Sequence, residues 1–227
     1  MDKQEIKQAL GIKASYLIQN NMIVGLGTGS TANEFIKALI QRKKEGKNFQ
    51  VVASSEKSAK IASVGGLNVL DINDVPKIDI TVDGADEITE NNQIIKGAGG
   101  AFFREKILAT SSNELVIIAD NSKLVERLGS KKLPVEISFF GAFATKSKID
   151  NLGFSSKIRE FENSFFLTDS GNLVIDIELN KSISNFKKLE NELLNIPGVI
   201  ETGLFLNIAK KAYISNDFKE IKEFFFM

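Results

Sequence analysis

The chain has 227 residues, 43% of them hydrophobic, which is enough for a sizeable core in one large domain or in a large and a small one. Its 29 Lys and Arg residues balance 29 Asp and Glu residues, which argues against nucleic acid or a membrane surface as the main partner. With no cysteine and no histidine, disulfides, thiolate nucleophiles, imidazole zinc sites and Ser-His-Asp triads are excluded. Acid–base chemistry must therefore use carboxylates, lysines, tyrosines or bound water.

The same composition bears on location. No apolar run approaches the ~20 residues that a membrane span needs. The first residues, MDKQE, are polar and lack the character of a signal peptide. We therefore expect a cytoplasmic protein without membrane contact.

In the first half of the chain, short apolar runs alternate with helical patterns. This rhythm predicts an α/β fold, a mostly parallel Rossmann-like sheet with helices on both faces. The predicted strands are Met22–Leu26, Phe49–Ala53, Leu67–Leu70, Ile78–Val82, Ile94–Ile95 and Leu115–Ala119. The predicted helices are Thr31–Lys44, Glu56–Val64 and Ala101–Thr110. In such sheets, ligands bind at the carboxyl ends of the strands.

After about Ser130 the pattern changes to that of a small α+β unit. The elements predicted there are the strands Leu133–Phe139, Ser164–Thr168 and Leu173–Glu178 and the amphipathic helix Ser184–Leu194. A strand at Ala212–Ser215 and a helix at Phe218–Phe225 are expected to return to the first sheet. We therefore expect an α/β domain from residues 1–128 and 206–227, and a small α+β domain from residues 129–205.

Three glycines follow the first predicted strand, in the stretch IVGLGTGSTA at 23–32. Gly27, Gly29 and Ala32 satisfy a loose dinucleotide fingerprint between a strand and a helix. The second predicted strand, however, ends without the acid that binds a ribose, and no lysine follows the glycines at the spacing of a nucleotide P-loop. Hydroxyls and amides at a helix N-terminus suit a phosphate monoester. The residues favour a small phosphate, with a simple capped turn as the alternative.

Polar clusters follow three further predicted strands: DGADE at 83–87, KGAGG at 96–100 and DNSK at 120–123. The second cluster opens a helix on which Glu105 shares an apolar face with Leu108 and Ala109. Partial desolvation there would raise the pKa of Glu105 towards a range useful for a base. Each feature also has a purely structural alternative. The DGADE segment could be a solvated acidic turn, and Glu105 could be paired with Arg104, Lys106 or Lys123. The polar clusters all lie at strand ends, which favours a single site that contains anion-binding groups and a base able to remove a proton from carbon.

The motifs GLGTGSTA, TVDGADEI, KGAGGAFFREKILA, IADNSKLV, LPVEI and IPGVIETGLF occur in this order. In this the chain resembles the type A ribose-5-phosphate isomerase family over nearly its whole length. The resemblance implies an α/β domain with a small lid-like α+β domain, no cofactor, and a homodimer or a dimer of dimers. It also implies interconversion of ribose 5-phosphate and ribulose 5-phosphate in the pentose phosphate pathway.

Carried onto matching positions, the resemblance makes Glu105 the proton acceptor that moves a proton from C2 to C1 through an enediolate. Lys96 would stabilise the negative oxygen, and Asp83 or Asp86 would relay the proton between O1 and O2. Ala98 stands where the family often has glycine, which still permits close backbone approach if its φ is negative. The implied substrate-binding residues are Lys7, Thr28, Gly29, Ser30, Thr31, Asp83, Gly84, Ala85, Asp86, Lys96, Gly97, Ala98, Gly99 and Lys123.

Two other classes of protein remain open at this stage. A sugar-phosphate-sensing regulator can share such a fold without catalysis, although it would normally carry a DNA-binding segment. A nicotinamide oxidoreductase would need an acid closing the second strand, and Glu56, just beyond it, is a poor substitute. Turnover of ribose 5-phosphate to a ketose distinguishes the three.

Overall fold

The computed structural model describes residues 3–179, 183–216 and 220–226. The α-helices in these ranges are α1 Lys3–Ser15, α2 Ser30–Lys44, α3 Glu56–Val64, α4 Phe102–Thr110, α5 Ala142–Asp150 and α6 Phe186–Leu194. The strands are β1 Ile23–Leu26, β2 Gln50–Ala53, β3 Ile78–Asp83, β4 Glu87–Ile88, β5 Gln93–Ile95, β6 Ser112–Asp120, β7 Leu133–Ile137, β8 Ser155–Ile158, β9 Glu160–Phe161, β10 Ser164–Phe165, β11 Leu173–Glu178, β12 Val199–Thr202, β13 Leu204–Leu206, β14 Lys211–Ser215 and β15 Ile221–Phe225. Within the same ranges, no helix is both long enough and apolar enough to cross a bilayer.

The largest sheet has six strands in the order β15-β14-β6-β3-β1-β2, and all of its pairings except β14 with β15 are parallel. Along β6, successive side chains point to opposite faces, as the pleat requires. Val116 and Ile118 pack in the cluster that holds α1 and α2, whereas Leu115 and Ile117 pack in the cluster that holds Phe102 of α4. Helices therefore cover both faces, and the predicted α/β architecture with a mostly parallel sheet is confirmed.

A second sheet lies in the stretch predicted to be a small α+β unit. Its four strands run antiparallel in the order β12-β7-β11-β8, and residues of α5 and α6 pack with them in one buried cluster. Helix α5 was not expected from the sequence. The predicted strand Ser164–Thr168 is shorter than expected, because only Ser164–Phe165 pairs as a strand, with β9. The assignment of 129–205 to a domain of its own stays a proposal, which this separate sheet supports.

Two predicted strands do not belong to the parallel sheet. Ile94–Ile95 lies in β5, which pairs antiparallel with β4 and β13 in a separate three-stranded sheet. Leu67–Leu70 forms only an isolated bridge, between Val69 and Val51. Both runs are short and apolar, and such runs can be placed in a particular sheet only when their partners are known.

The predicted helix at Phe218–Phe225 is wrong. Ile221–Phe225 is strand β15, which pairs antiparallel with β14 at the edge of the large sheet; residues 217–219 lie outside the described ranges. Its spacing suits a helix, but β14 offers an unpaired edge, and aromatic residues fit a pleated surface well. Phe224 and Phe226, two residues apart, both pack on the cluster around Phe102. Tertiary pairing therefore overrides the local pattern.

Candidate active site

Three of the four predicted polar clusters lie at one edge of the large sheet. The strands β1, β3 and β6 are parallel neighbours, so the residues after Leu26, the end of β3 at Asp83 and the end of β6 at Asp120 come together. The fourth cluster reaches them by another route. Strand β4 turns back through Asn92, which has a positive φ of 57°, into β5, and this hairpin returns Lys96 to the side of Asp86.

Gly27 is explained by a close approach of Asp83. A Cβ atom at Gly27 would lie 2.0 Å from Asp83 Oδ1, so no larger residue fits without displacing that carboxylate. The same oxygen, Asp83 Oδ1, also accepts hydrogen bonds from the backbone amides of Thr28 at 3.2 Å and Gly84 at 2.7 Å. The glycine loop thus fixes a buried carboxylate as well as leading into helix α2.

A buried ion cluster joins Asp83, Lys96 and Glu105, which are 1%, 3% and 4% exposed. Lys96 Nζ lies 2.6 Å from the carbonyl oxygen of Gly84, 3.0 Å from Asp83 Oδ2 and 3.2 Å from Glu105 Oε2. The three oxygens match in number the three N–H donors of an ammonium group. Two of the three expected alternative partners of Glu105 are engaged elsewhere: Arg104 pairs with Asp169, and Lys106 pairs with Glu190 and Glu201.

The contact between Lys96 and Glu105 is the loosest of the three. Glu105 Oε2 is fully buried and accepts no hydrogen bond of good geometry from any residue in the described ranges. An oxygen in that state is costly, and such an atom in a cleft is a candidate for a functional role. Glu105 is therefore held in place by burial and by its charge contact with Lys96, and its Oε2 accepts no well-formed hydrogen bond.

Burial dominates the proton affinity of this cluster. It raises the pKa of Glu105 to about 8; the Asp83 charge adds to the rise, and Lys96 opposes it. Burial also raises the pKa of Asp83, against the opposing effects of Lys96 and of the amides of Gly84 and Thr28. Burial by itself would lower the pKa of Lys96, but the charges of Asp83 and Glu105 raise it above its ordinary value. Lys96 therefore stays charged, and burial brings the pKa of Glu105 into the range near neutral pH.

A cavity of about 330 Å³ opens beside the cluster. All the residues named from the sequence as catalytic or substrate-binding line it except Asp83, which lies behind Lys96. Ala98 lies outside the left-handed region, so its side chain fits the loop without backbone strain. The cavity is lined by Lys3, Lys7, Thr28, Gly29, Ser30, Thr31, Ala32, Gly84, Ala85, Asp86, Lys96, Gly97, Ala98, Gly99, Glu105, Asp120, Ser122 and Lys123.

One wall of the cavity is the N-terminus of helix α2, where the sequence predicts that an anion binds. Helix α2 begins at Ser30 after Gly29, whose φ is 120°, and its N-terminus carries neither a side-chain cap nor an acidic residue in the first turn. Its first amides are therefore open to an anion. The hydroxyl of Thr28 does not contribute to anion binding here, because it forms hydrogen bonds with the hydroxyls of Ser54 at 2.8 Å and Ser55 at 2.7 Å.

Sequence reasoning missed four lining residues. Lys3 lies four positions before Lys7 on α1, so the helical spacing that places both on one face could have revealed it. Asp120 and Ser122 belong to the predicted DNSK cluster, in which the resemblance implies a binding role for Lys123 alone. Ala32 lies in the first turn of α2; the sequence marks it only as the last position of the loose dinucleotide fingerprint.

The whole chain is similar to proteins of one known family. The family model described as ribose 5-phosphate isomerase A (phosphoriboisomerase A) matches residues 50–219. A protein named ribose-5-phosphate isomerase A from Bacillus mycoides is 43% identical over 217 residues, which cover 95% of this chain and 98% of that protein. The solved ribose 5-phosphate isomerase of Plasmodium falciparum superposes with a TM-score of 0.94 at 32% identity and 98% coverage of both chains. A D-ribose-5-phosphate isomerase solved in complex with phospho-erythronic acid has a TM-score of 0.94 at 30% identity, covering 99% of this chain and 100% of that one. The protein described here is thus a member of the ribose 5-phosphate isomerase A family.

Proposed function

We propose that the protein interconverts D-ribose 5-phosphate and D-ribulose 5-phosphate through an enediolate, with Glu105 as the base. The observation that carries the proposal is the buried carboxyl group of Glu105 on the wall of a cavity that also holds the open N-terminus of α2; its Oε2 lies 3.2 Å from Lys96 Nζ without a hydrogen bond of good geometry. Family membership supports the substrate, and the raised pKa of Glu105 supports the role, because a general base works best with a pKa near the working pH. The chemistry requires no cofactor.

The proton transfer runs between two carbons of the ring-opened sugar. Glu105 removes the proton from C2 of the aldose, the electrons move into the C1–O1 carbonyl to give the enediolate, and the same carboxyl returns the proton to C1. The ketose then carries its carbonyl at C2. Burial keeps water away from the carboxylate, so the transferred proton is held for return.

Lys96 changes its partners during this transfer. In the free protein its ammonium group is surrounded by Gly84 O, Asp83 Oδ2 and Glu105 Oε2. When Glu105 takes the proton from carbon it becomes neutral, and its hold on Lys96 weakens. The released N–H is then available to the enediolate oxygen that becomes negative in the same step. Asp83, which does not line the cavity, keeps Lys96 in place throughout.

Asp86 is the better candidate for moving the proton between O1 and O2. It lines the cavity and is only half-buried, whereas Asp83 is buried behind Lys96 with its oxygens bound to amides and ammonium. Asp86 Oδ2 accepts a hydrogen bond from the amide of Ala98 at 2.8 Å, which leaves Oδ1 for the sugar.

The phosphate would sit at the N-terminus of α2. Ser30 and Thr31 contribute hydroxyls and amides there, and Lys3, Lys7 and Lys123 bring positive charge to the same cavity. A dianion is favoured both by the helix dipole and by these lysines.

The direct test is to incubate the purified protein with ribose 5-phosphate, with no nicotinamide or metal added, and to follow the ketose. We expect ribulose 5-phosphate to appear up to the equilibrium ratio. A sensor would bind the sugar phosphate without turning it over, and a nicotinamide enzyme would need its cofactor. Binding without turnover, or turnover only when a nicotinamide is added, would refute the proposal.

We also propose that the protein acts in the cytoplasm, in the non-oxidative pentose phosphate pathway, as a homodimer or a dimer of dimers. Apolar surface for contact between copies is present, because Phe139, Phe140, Phe143 and Phe165 are 62%, 92%, 70% and 43% exposed. Light scattering at micromolar concentration should therefore give at least twice the mass of one chain. A monomer under those conditions would refute the oligomer.

A further inference from the structure

An arginine that directly follows a strand of the second sheet forms hydrogen bonds with the backbone of the KGAGG loop. Arg159 follows strand β8, and its Nη1 donates to the carbonyl oxygens of Gly97 at 2.9 Å and Ala98 at 3.2 Å. Its other nitrogens are anchored: Nε and Nη2 bond to the two oxygens of Asp176 at 2.9 Å and 2.5 Å. Both side chains are largely buried, 15% and 18% exposed, so the pairing is protected from water and salt.

These hydrogen bonds from Arg159 determine the direction in which the amide N–H groups of the loop point. In a trans peptide the carbonyl and the following N–H point in opposite directions, and every peptide in the described ranges is trans. With the carbonyls of Gly97 and Ala98 both turned to Arg159, the N–H groups of Ala98 and Gly99 must face the other way. The structure agrees, since the amide of Ala98 donates to Asp86 Oδ2 on the cavity side.

The loop needs this external support because its backbone is unusual. Gly97 has a φ of 112°, which side-chain-bearing residues rarely adopt. Ala98 and Gly99 are exposed, so packing does not hold them. The two bonds from Arg159 tie the segment directly to β11, on which Asp176 lies.

We propose that Arg159 is a positioning residue for the isomerisation: it aims the amides of Ala98 and Gly99 at Asp86 and at the oxygens of the substrate that become negative. The proposal rests on the proposed function, since it assigns a task within that reaction. Arg159 does not line the cavity that holds Glu105 and acts only through the loop. The amide of Gly99 becomes a donor for the enediolate, and the amide of Ala98 fixes the proton-relaying carboxylate.

The task demands arginine in particular. The guanidinium group serves Asp176 with two nitrogens and the loop with a third, all in one plane. Lysine has a single nitrogen at the end of a flexible stem, so it keeps the charge but cannot bridge both partners. Arg159→Lys therefore tests whether Arg159 acts by orienting the loop amides, because the positive charge is kept.

The test compares wild type with Arg159→Lys and with the matched control Arg42→Lys, since Arg42 also donates to a backbone carbonyl, that of Ile18 at 3.2 Å, but away from the cavity. Four quantities are measured: kcat, KM for ribose 5-phosphate, and the inhibition constants of inorganic phosphate and of phospho-erythronic acid. The carboxylate of the last compound stands in for the enediolate oxygens.

For Arg159→Lys we expect kcat to fall by about 100-fold, the loss that a misplacement of about 1 Å can cause. Inhibition by phospho-erythronic acid should weaken by a similar factor. KM should change by less than about threefold, and inhibition by inorganic phosphate should not change, because the phosphate sits at the N-terminus of α2. Arg42→Lys should match wild type in all four.

The proposal is overturned if Arg159→Lys keeps wild-type kcat and inhibition by phospho-erythronic acid, or if binding of inorganic phosphate weakens as much as that of phospho-erythronic acid. If the variant does not fold, Asp176→Asn replaces it, because it leaves Arg159 in place without its anchor. It should lower kcat about threefold or more with unchanged phosphate inhibition, and wild-type kcat would overturn the proposal. Absence of turnover by the wild-type protein would instead refute the proposed function.

Discussion

Replacing Glu105 by glutamine tests the base and its burial with one variant. Glutamine keeps the shape but cannot take a proton from carbon. Loss of a positioned general base typically costs ~10² to 10⁴ in rate, or roughly 3 to 5 kcal/mol of barrier. The loss should fall on kcat with little change in KM, because the base acts in the transition state. A variant that retained more than about a tenth of wild-type kcat would show that the base lies elsewhere.

The same variant should change how stability depends on pH. The pKa of Glu105 is about 8 in the folded chain against an ordinary value of 4.5, so the folded chain holds this proton more tightly than the unfolded one. The stabilisation is complete below pH 4.5 and is lost as pH rises to about 8. At 1.36 kcal/mol per pKa unit, the wild-type free energy of unfolding should fall by at most ~5 kcal/mol across that window. Glutamine cannot ionise and escapes this loss.

The measurement is urea unfolding of wild type and Glu105→Gln at pH 5 and at pH 9. The two proteins should be similar at pH 5, and the variant should be the more stable at pH 9. Glu34→Gln is the matched control, because Glu34 is equally buried but accepts a hydrogen bond from Gln4 and pairs with Lys37. That variant should lose stability at both pH values. If Glu105→Gln gains nothing at pH 9, burial does not raise the proton affinity of this carboxyl group.

Four further results are expected. Wild-type kcat/KM should rise with pH through an apparent pKa of about 8, the value of Glu105 in the free protein; a profile flat from pH 6 to pH 9 would contradict this. Thr31→Ala should raise KM for ribose 5-phosphate, and free ribose should be a far poorer substrate; equal kcat/KM for the two sugars would remove the role of the α2 N-terminus. Exhaustive chelation should leave activity intact, since the proposed proton transfer relies on carboxylates; loss that one divalent ion restores would refute that mechanism. Asp86→Asn should slow turnover less than Glu105→Gln, because water can partly replace a relay between oxygens but not a base at carbon; a larger loss for Asp86→Asn would reverse the two assignments.

Much of the fold follows from local pattern. The alternation of apolar runs and helical stretches before Ser130 predicts the parallel sheet, because each strand must be buried on both faces and each helix must cover one. The positions of TGST, DGAD and DNSK follow as well, since parallel strands bring their carboxyl ends to one edge. Glu105 could be singled out because its neighbours on the helix are apolar.

Other features depend on partners distant in the chain, which no local pattern encodes. The edge of β14 turns Ile221–Phe225 into a strand although its spacing suits a helix. Lys96 reaches Glu105 through the hairpin of β4 and β5, so the partner of Glu105 is not one of the neighbouring cations that spacing suggests. Arg159, about 60 residues after the loop that it holds, carries no motif. The chain by itself therefore determined the layers of the fold and the chemical types at the site, because these depend on periodicity and on strand ends. Only the tertiary structure decided which charges meet and which carboxylate oxygen lacks a well-formed hydrogen bond, because ion pairs and hydrogen bonds depend on distances of a few ångströms between segments far apart in sequence.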